Sequence, residues 1–239
     1  MKLTETNYLA LKSDYSTYLD IAKGIGNNFG GPSLYFHQRA LDEIERSFLG
    51  KTHIEMIYAT LASWGMHRMG DTKTKMVDFN KFENSILTHK NILSDLKTLK
   101  MEEVSNSNLP EVIEKLRSIC FALKTSESNS RIVGNSKTLA HILPNIVPPI
   151  DRQYTIRFFS CEPTSFLNAK EGIKQPPGIK FSEEETCFTY ILEKTHNFIN
   201  HIKVEKQIGL SGTFNTSYPK IFDNLIMAYV RNIGQKKKT

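Results

Sequence analysis

Two residues of this chain have types and spacing that could do chemistry together. Asp151 follows the stiff run Pro148-Pro149-Ile150, and Lys137 lies fourteen positions before it. Gly134-Asn135-Ser136 reads as a turn that feeds directly into a short helix, Lys137 to Leu143. Free backbone N–H groups at such a helix start favour an anion, and the Lys137 ammonium would add charge there. Pro144 stops that helix, the double proline stiffens the connection, and Asp151 then stands where the next helix needs its N-cap. The pairing is therefore an anion grip beside a fixed carboxylate. The plainer alternative is a helix–turn–helix pair in which Asp151 is only a cap.

The elements that must hold these residues are helical. Tyr8, Leu11, Tyr15, Tyr18 and Ala22 recur at three- and four-residue steps before a break at Gly24, Gly26, Gly30 and Gly31. Ser33 is expected to cap a second helix with Leu34, Ala40, Leu41, Ile44 and Phe48 inside, and Ile54, Ile57, Tyr58, Leu61 and Trp64 mark a third. Phe79 to Leu99 reads as one or two helices. Asn108 with Glu111, and Ser182 with Glu185, have the spacing of capping boxes. The first precedes the stripe Val112, Ile113, Leu116, Ile119, Cys120 and Leu123. The second precedes Phe188, Ile191, Leu192, Phe198, Ile199 and Ile202. A last helix carries Tyr218, Ile221, Phe222, Leu225, Ile226 and Tyr229. Strict alternation and Asn-Gly or Asp-Gly hairpin turns are missing, so strands are not expected. The predicted class is all-α, about eight to ten helices. Residues 1–239 form a single compact helical unit or two lobes. In the second case 33–160 is a bundle carrying the 131–151 hairpin, 1–32 and 182–239 pack as the other lobe, and 236–239 is a basic tail.

Composition narrows the function. At 239 residues, with 39% hydrophobic and 23% charged side chains, the chain can bury a sizeable core, which excludes collagen-like and wholly disordered classes. Its net charge of +6 permits a nucleic-acid partner without demanding one, since Lys236, Lys237 and Lys238 supply half of it. Three cysteines without CxxC spacing argue against a disulfide scaffold or a four-thiolate cluster. The histidines are scattered and suggest no zinc site. No cofactor is expected. The start of the chain lacks a signal-peptide core and no apolar run is long enough to span a membrane, so a cytoplasmic protein with no membrane partner is expected.

The run Val133-Gly134-Asn135-Ser136-Lys137-Thr138-Leu139-Ala140, followed by Val147-Pro148-Pro149-Ile150-Asp151, resembles the helix-hairpin-helix DNA glycosylase superfamily. About 25 residues match closely. The family's second hairpin glycine is replaced by Asn135 or Ser136, the Lys-to-Asp spacing is a few residues shorter, and its iron–sulfur cysteines are missing. The run from Ser136-Lys137 through Pro148-Pro149-Ile150-Asp151-Arg152-Gln153-Tyr154 is also similar to uncharacterised bacterial proteins, some of which resemble phage-defence glycosylases acting on modified cytosine. The resemblance implies a DNA N-glycosylase that flips a damaged or modified base out of double-stranded DNA, in repair or in antiviral defence. Asp151 would be its catalytic carboxylate. Lys137 would be a Schiff-base nucleophile or, in another register, a phosphate contact. Backbone contacts would fall to Gly134, Asn135, Ser136, Thr138 and Arg152, joined by the basic residues Arg68 and Lys73. The base pocket would draw on Trp64, Tyr154 and Phe158, with core packing as the alternative for Trp64. No obligate protein partner is implied. A non-catalytic helical DNA-binding protein and a helical scaffold for another protein are the other two readings. Asp223 and Asn224, polar in the middle of the last helix, are unexplained by capping and could face the hairpin or a substrate.

Overall fold

The computed structural model describes residues 3–27, 30–66, 76–163, 180–204 and 215–235. The class is all-α: the described residues hold eleven α-helices and no strand, with one isolated bridge between Met76 and Ser126. In chain order the helices are α1 (Thr6–Ser13), α2 (Tyr15–Asn27), α3 (Gly31–Ser47), α4 (Lys51–Leu61), α5 (Phe79–Leu87), α6 (Lys90–Leu96), α7 (Leu109–Ala122), α8 (Ile132–Ile142), α9 (Arg157–Ser160), α10 (Glu184–Val204) and α11 (Tyr218–Gln235). Among the described residues no helix is long and apolar enough to cross a membrane.

The apolar stripes fold as their periods require. Ile54, Ile57 and Leu61 are buried on α4; Val112, Ile113, Leu116, Ile119 and Cys120 are buried on α7. Near the chain ends, aromatic rings knit α1, α2, α10 and α11 together. Tyr8 meets Phe198 and Phe222 edge-on, each at 6.4 Å between centroids, and Tyr18 lies 5.1 Å from Tyr229. Asn7 donates from its amide to the carbonyls of Phe158 and Cys161, both at 2.7 Å, and accepts from the Tyr229 hydroxyl. Residues 150 positions apart are thereby fixed on one another.

Several local signals resolve differently from expectation. Gly24 lies within α2 and the break falls after it. Ser33 caps nothing; its hydroxyl donates to the Ser63 carbonyl, and α3 starts at Gly31. Phe79 to Leu99 divides into α5 and α6. Neither capping box forms. Ser105 Oγ accepts from the Asn108 N–H, while Glu111 pairs with Lys115 one turn on. Glu185 reaches Arg117 on α7 instead of turning back on Ser182. In each case a partner outside the four-residue motif took the side chain.

The helix that positions the site is α8. Ten of its eleven residues are buried, including Asn135, Ser136, Lys137, Thr138 and His141. A helix buried on every side with that many polar residues must find each of them a partner inside the protein. Where those partners lie defines the site.

Candidate active site

The structure corrects the hairpin. Gly134-Asn135-Ser136 is not a turn; α8 begins at Ile132 and runs through it without interruption. Gly134 is needed for close approach, since a Cβ there would lie 3.2 Å from Met66 Cε and from Thr125 Cγ2. Asn135, Ser136 and Thr138 turn inward. Asn135 Nδ2 donates to the carbonyls of Cys120 (2.6 Å) and Leu123 (3.0 Å), closing the C-terminal end of α7. Ser136 Oγ accepts from the Ile150 N–H at 3.1 Å, and Thr138 Oγ1 donates back to Gly134 and shares a bond with Thr125. All three are at most 2% exposed, so they present nothing to a DNA backbone.

The helix start does hold an anion, but an internal one. The Arg131 and Ile132 N–H groups donate to Glu184 at 2.8 and 3.2 Å, and Ser130 Oγ donates to the same carboxylate at 2.6 Å. Glu184 is fully buried. Two of the N–H groups that attract a phosphate in a free helix start are thus taken by a carboxylate from α10.

The other half of the expectation stands. Asp151 caps the turn Arg152–Ile156: its Oδ1 accepts from the N–H groups of Gln153 (2.7 Å) and Tyr154 (3.3 Å). Its Oδ2 accepts from Lys137 Nζ at 2.9 Å. Pro148, Pro149 and Ile150 are buried, and the Ser136–Ile150 bond fastens this segment to α8 one residue before Lys137. The Lys137 side chain is 9% exposed and that of Asp151 32%, so the amine is enclosed and the carboxylate faces partly outward. Burial alone would raise the Asp151 pKa, but the Lys137 charge and the bonds from Lys137, Gln153 and Tyr154 outweigh it and hold it below the ordinary value. Asp151 is thus an ionised carboxylate at neutral pH.

A second pair lies alongside. Lys220 Nζ donates to Asp223 Oδ2 at 2.6 Å within α11, with both side chains about one-tenth exposed. Burial pushes the Asp223 pKa up, Lys220 opposes this, and the negative charge of Asp151 raises it further. The mid-helix polarity of α11 therefore does face the region of α8. Trp64 completes the group. Its Nε1 donates to the Ser33 carbonyl at 3.3 Å, its ring lies 5.0 Å from His141 and 5.5 Å from His37, and Lys137 Nζ stands 5.6 Å from its centroid. His37, Trp64, His141, Pro149, Ser217 and Lys220 line a small cavity of about 10 Å³, the place of a single water-sized group.

The remaining expected residues divide. Arg152, half-buried, donates from Nη2 to Ser130 Oγ at 3.2 Å. Tyr154, half-buried beside the cap, accepts from Arg231 Nε at 3.1 Å and lies under its guanidinium. Phe158 is not in a pocket: it is fully buried, 4.8 Å from Phe159 and 5.3 Å from Tyr229. Arg68 and Lys73 lie outside the described residues. Reading the histidines as scattered missed His37 and His141, which meet at 2.9 Å. A signal was present, since His37 sits on the face of α3 that carries Ala40 and Ile44, and His141 follows Lys137 by one helical turn. Among the described residues no three His, Cys, Asp or Glu side chains are grouped to hold a metal ion. Comparison with protein-family models, with curated proteins and with solved structures found no match to this chain.

Proposed function

We propose that this protein cleaves an N-glycosidic bond in DNA, releasing a damaged or modified base with Asp151 as the catalytic carboxylate. The observation that carries the reading is the Lys137–Asp151 pair: an ionised, partly outward-facing carboxylate held from three sides by donors, beside an enclosed amine. As the bond from base to C1′ breaks, its electrons leave with the base and positive charge builds on the sugar. A fixed negative group close by stabilises that state without reorganising, because its donors are already in place. Capping alone needs one carboxylate oxygen; the second oxygen of Asp151 is given to Lys137.

Lys137 Nζ is bonded to Asp151, so it acts on the atoms that carboxylate faces rather than as a free phosphate grip. Two outcomes follow the sugar cation. Water adds at C1′, losing a proton to the Asp151 carboxylate, and leaves an abasic site; or Lys137 passes a proton to Asp151 and forms the C1′–N bond, after which the C1′–O4′ bond breaks, O4′ takes up a proton, and a reducible imine results. The non-catalytic DNA-binding alternative relied on free N–H groups at a helix start beside Lys137; that position lies inside α8, and at the helix's actual start the Arg131 and Ile132 N–H groups face Glu184. Contacts to the duplex are assigned to Arg152 and to the basic Arg68 and Lys73.

The test is base release from duplexes carrying damaged or modified bases, with modified cytosine tried first on the strength of the phage-defence resemblance. The wild type should release free base, and Asp151→Asn, which keeps the cap, should not. Borohydride should trap a protein–DNA adduct that Lys137→Gln loses if Lys137 is the nucleophile. Duplex binding should weaken with salt at a log–log slope of roughly −3 to −5, the value for about three to five neutralised phosphates. Unchanged release by Asp151→Asn would sink the assignment.

A further inference from the structure

The two histidines beside the cavity have tautomers that bonding alone fixes. A neutral imidazole has one N–H donor and one lone-pair acceptor, whereas a carbonyl oxygen only accepts. His141 Nδ1 lies 2.7 Å from the Lys137 carbonyl oxygen, so Nδ1 carries the proton and Nε2 the lone pair. His37 Nδ1 lies 2.9 Å from that Nε2, so it must be the donor. The His37 proton is thereby placed on Nδ1, and its Nε2 is left as an acceptor. His53 holds the other side of the array: Leu49 N–H donates to its Nδ1, and its Nε2–H donates to the His141 carbonyl.

Both rings stay neutral. Burial, reinforced by the neighbouring His141 and the Lys220 cation, lowers the His37 pKa to about 2. Burial lowers that of His141 to about 4 against its bond to the Lys137 carbonyl. His37 is 6% exposed, and among the described residues its Nε2 has no hydrogen-bond partner. A buried acceptor without a donor has given up its hydration and gained no bond in return. His37 lines the cavity, whose size suits one amino group and excludes a whole ring, and Trp64 stands on its wall.

We propose that His37 is the specificity-determining acceptor of this site: its Nε2 takes a hydrogen bond from the exocyclic amino group of an extruded base whose ring lies against Trp64. The proposal rests on reading the site as one that receives a base. A ring N–H flanked by two carbonyls is too broad to enter, so amino-bearing bases are selected over thymine and uracil. A site built to bond a polar group rejects the analogue lacking it, because its own buried partner is then left unmet.

The experiment is a titration of the full-length protein, with ¹⁵N-labelled imidazoles, by free cytosine, adenine, guanine, thymine and uracil, followed by NMR. Before addition His37 should show a protonated Nδ1 and an unprotonated Nε2. At least one amino-bearing base should shift the Nε2 signal saturably toward the protonated side, and thymine and uracil should leave it in place. A protonated Nε2 in the free protein, no response to any base, or a response to thymine or uracil alone overturns the proposal. His37→Leu should weaken binding of the responding base at least tenfold. His37→Gln, which can donate to His141 and still accept, should keep part of it. Equal binding by His37→Leu overturns the proposal, and the wild-type titration decides it should that variant fail to fold. Since no DNA is present, an enzyme reading that fails on Asp151→Asn is told apart from a recognition reading that fails here.

Discussion

Two lysine–aspartate pairs with enclosed lysines lie side by side in this protein, in different settings. Lys137–Asp151 joins a helix to the cap of a separate turn, and its carboxylate is about one-third exposed. Lys220–Asp223 lies within one helix, three residues apart, with both groups closed off. The carboxylate pKa moves down in the first and up in the second. Burial is the first cause at both: Asp223 is closed off and its lysine does not offset that cost, whereas Asp151 is more exposed and accepts two N–H groups besides its lysine. Preorganised donors, not the lysine alone, produce a carboxylate fit to face developing positive charge, while the closed pair sets the field around it.

The largest effect that would break this comparison is on base release. Asp151→Asn should lower the rate on the order of 100-fold or more. Asp223→Asn should lower it far less; equal losses would mean the two pairs act as one unit. Stability should not separate them. Asp223→Ala and Asp151→Ala each strip the counter-charge from a lysine about one-tenth exposed, at about 3 kcal/mol apiece, and the second also loses a cap, about 1 kcal/mol. Urea denaturation of the two variants checks that the losses are comparable.

The histidines between the pairs give a pH signature. Folded His37 and His141 have pKa values far below the unfolded 6.5, so the unfolded chain binds more protons on the acid side. Their contribution to stability is present above pH 6.5 and is lost as pH falls, from 6.5 toward about 4 for His141 and toward about 2 for His37. Each group should remove about 1 kcal/mol per pH unit in its window. Denaturation midpoints from pH 7 to 5 check this, and His37→Leu should flatten the slope. The smallest effect belongs to the exposed contacts of Arg117 with Glu114 and Glu185. Arg117→Ala should leave the midpoint where it is, because solvent and salt screen such pairs.

How much of this was legible depends on range. The stripes of α7, α10 and α11 follow from spacing, because burial of one helical face is written at three- and four-residue intervals. The Asp151 cap was legible because its donors lie two and three residues on. Lys137 could be paired with it because a short stiff segment joins them. The turn at Gly134 was misread because glycine signals both a left-handed backbone and close packing, and only its neighbours in space, Met66 and Thr125, decide between these. The His37–His141 bond spans 104 residues: the helix face of each ring was readable, and their meeting was not. The mid-helix polarity of α11 was visible as an anomaly, and its partner was not.

Glu184 has a consequence for the order of assembly. The first N–H groups of α8 are completed by a carboxylate that arrives more than fifty residues later in the chain. Until α10 docks, the start of α8 lacks its acceptor, and loop closure over that distance must come first. The helix that presents Lys137 and His141 is therefore finished late, and its first turn is held only as firmly as α10 is seated. Amide exchange at Arg131 and Ile132 should rise and fall with that of α10, as one cooperative unit, ahead of the exchange of α7.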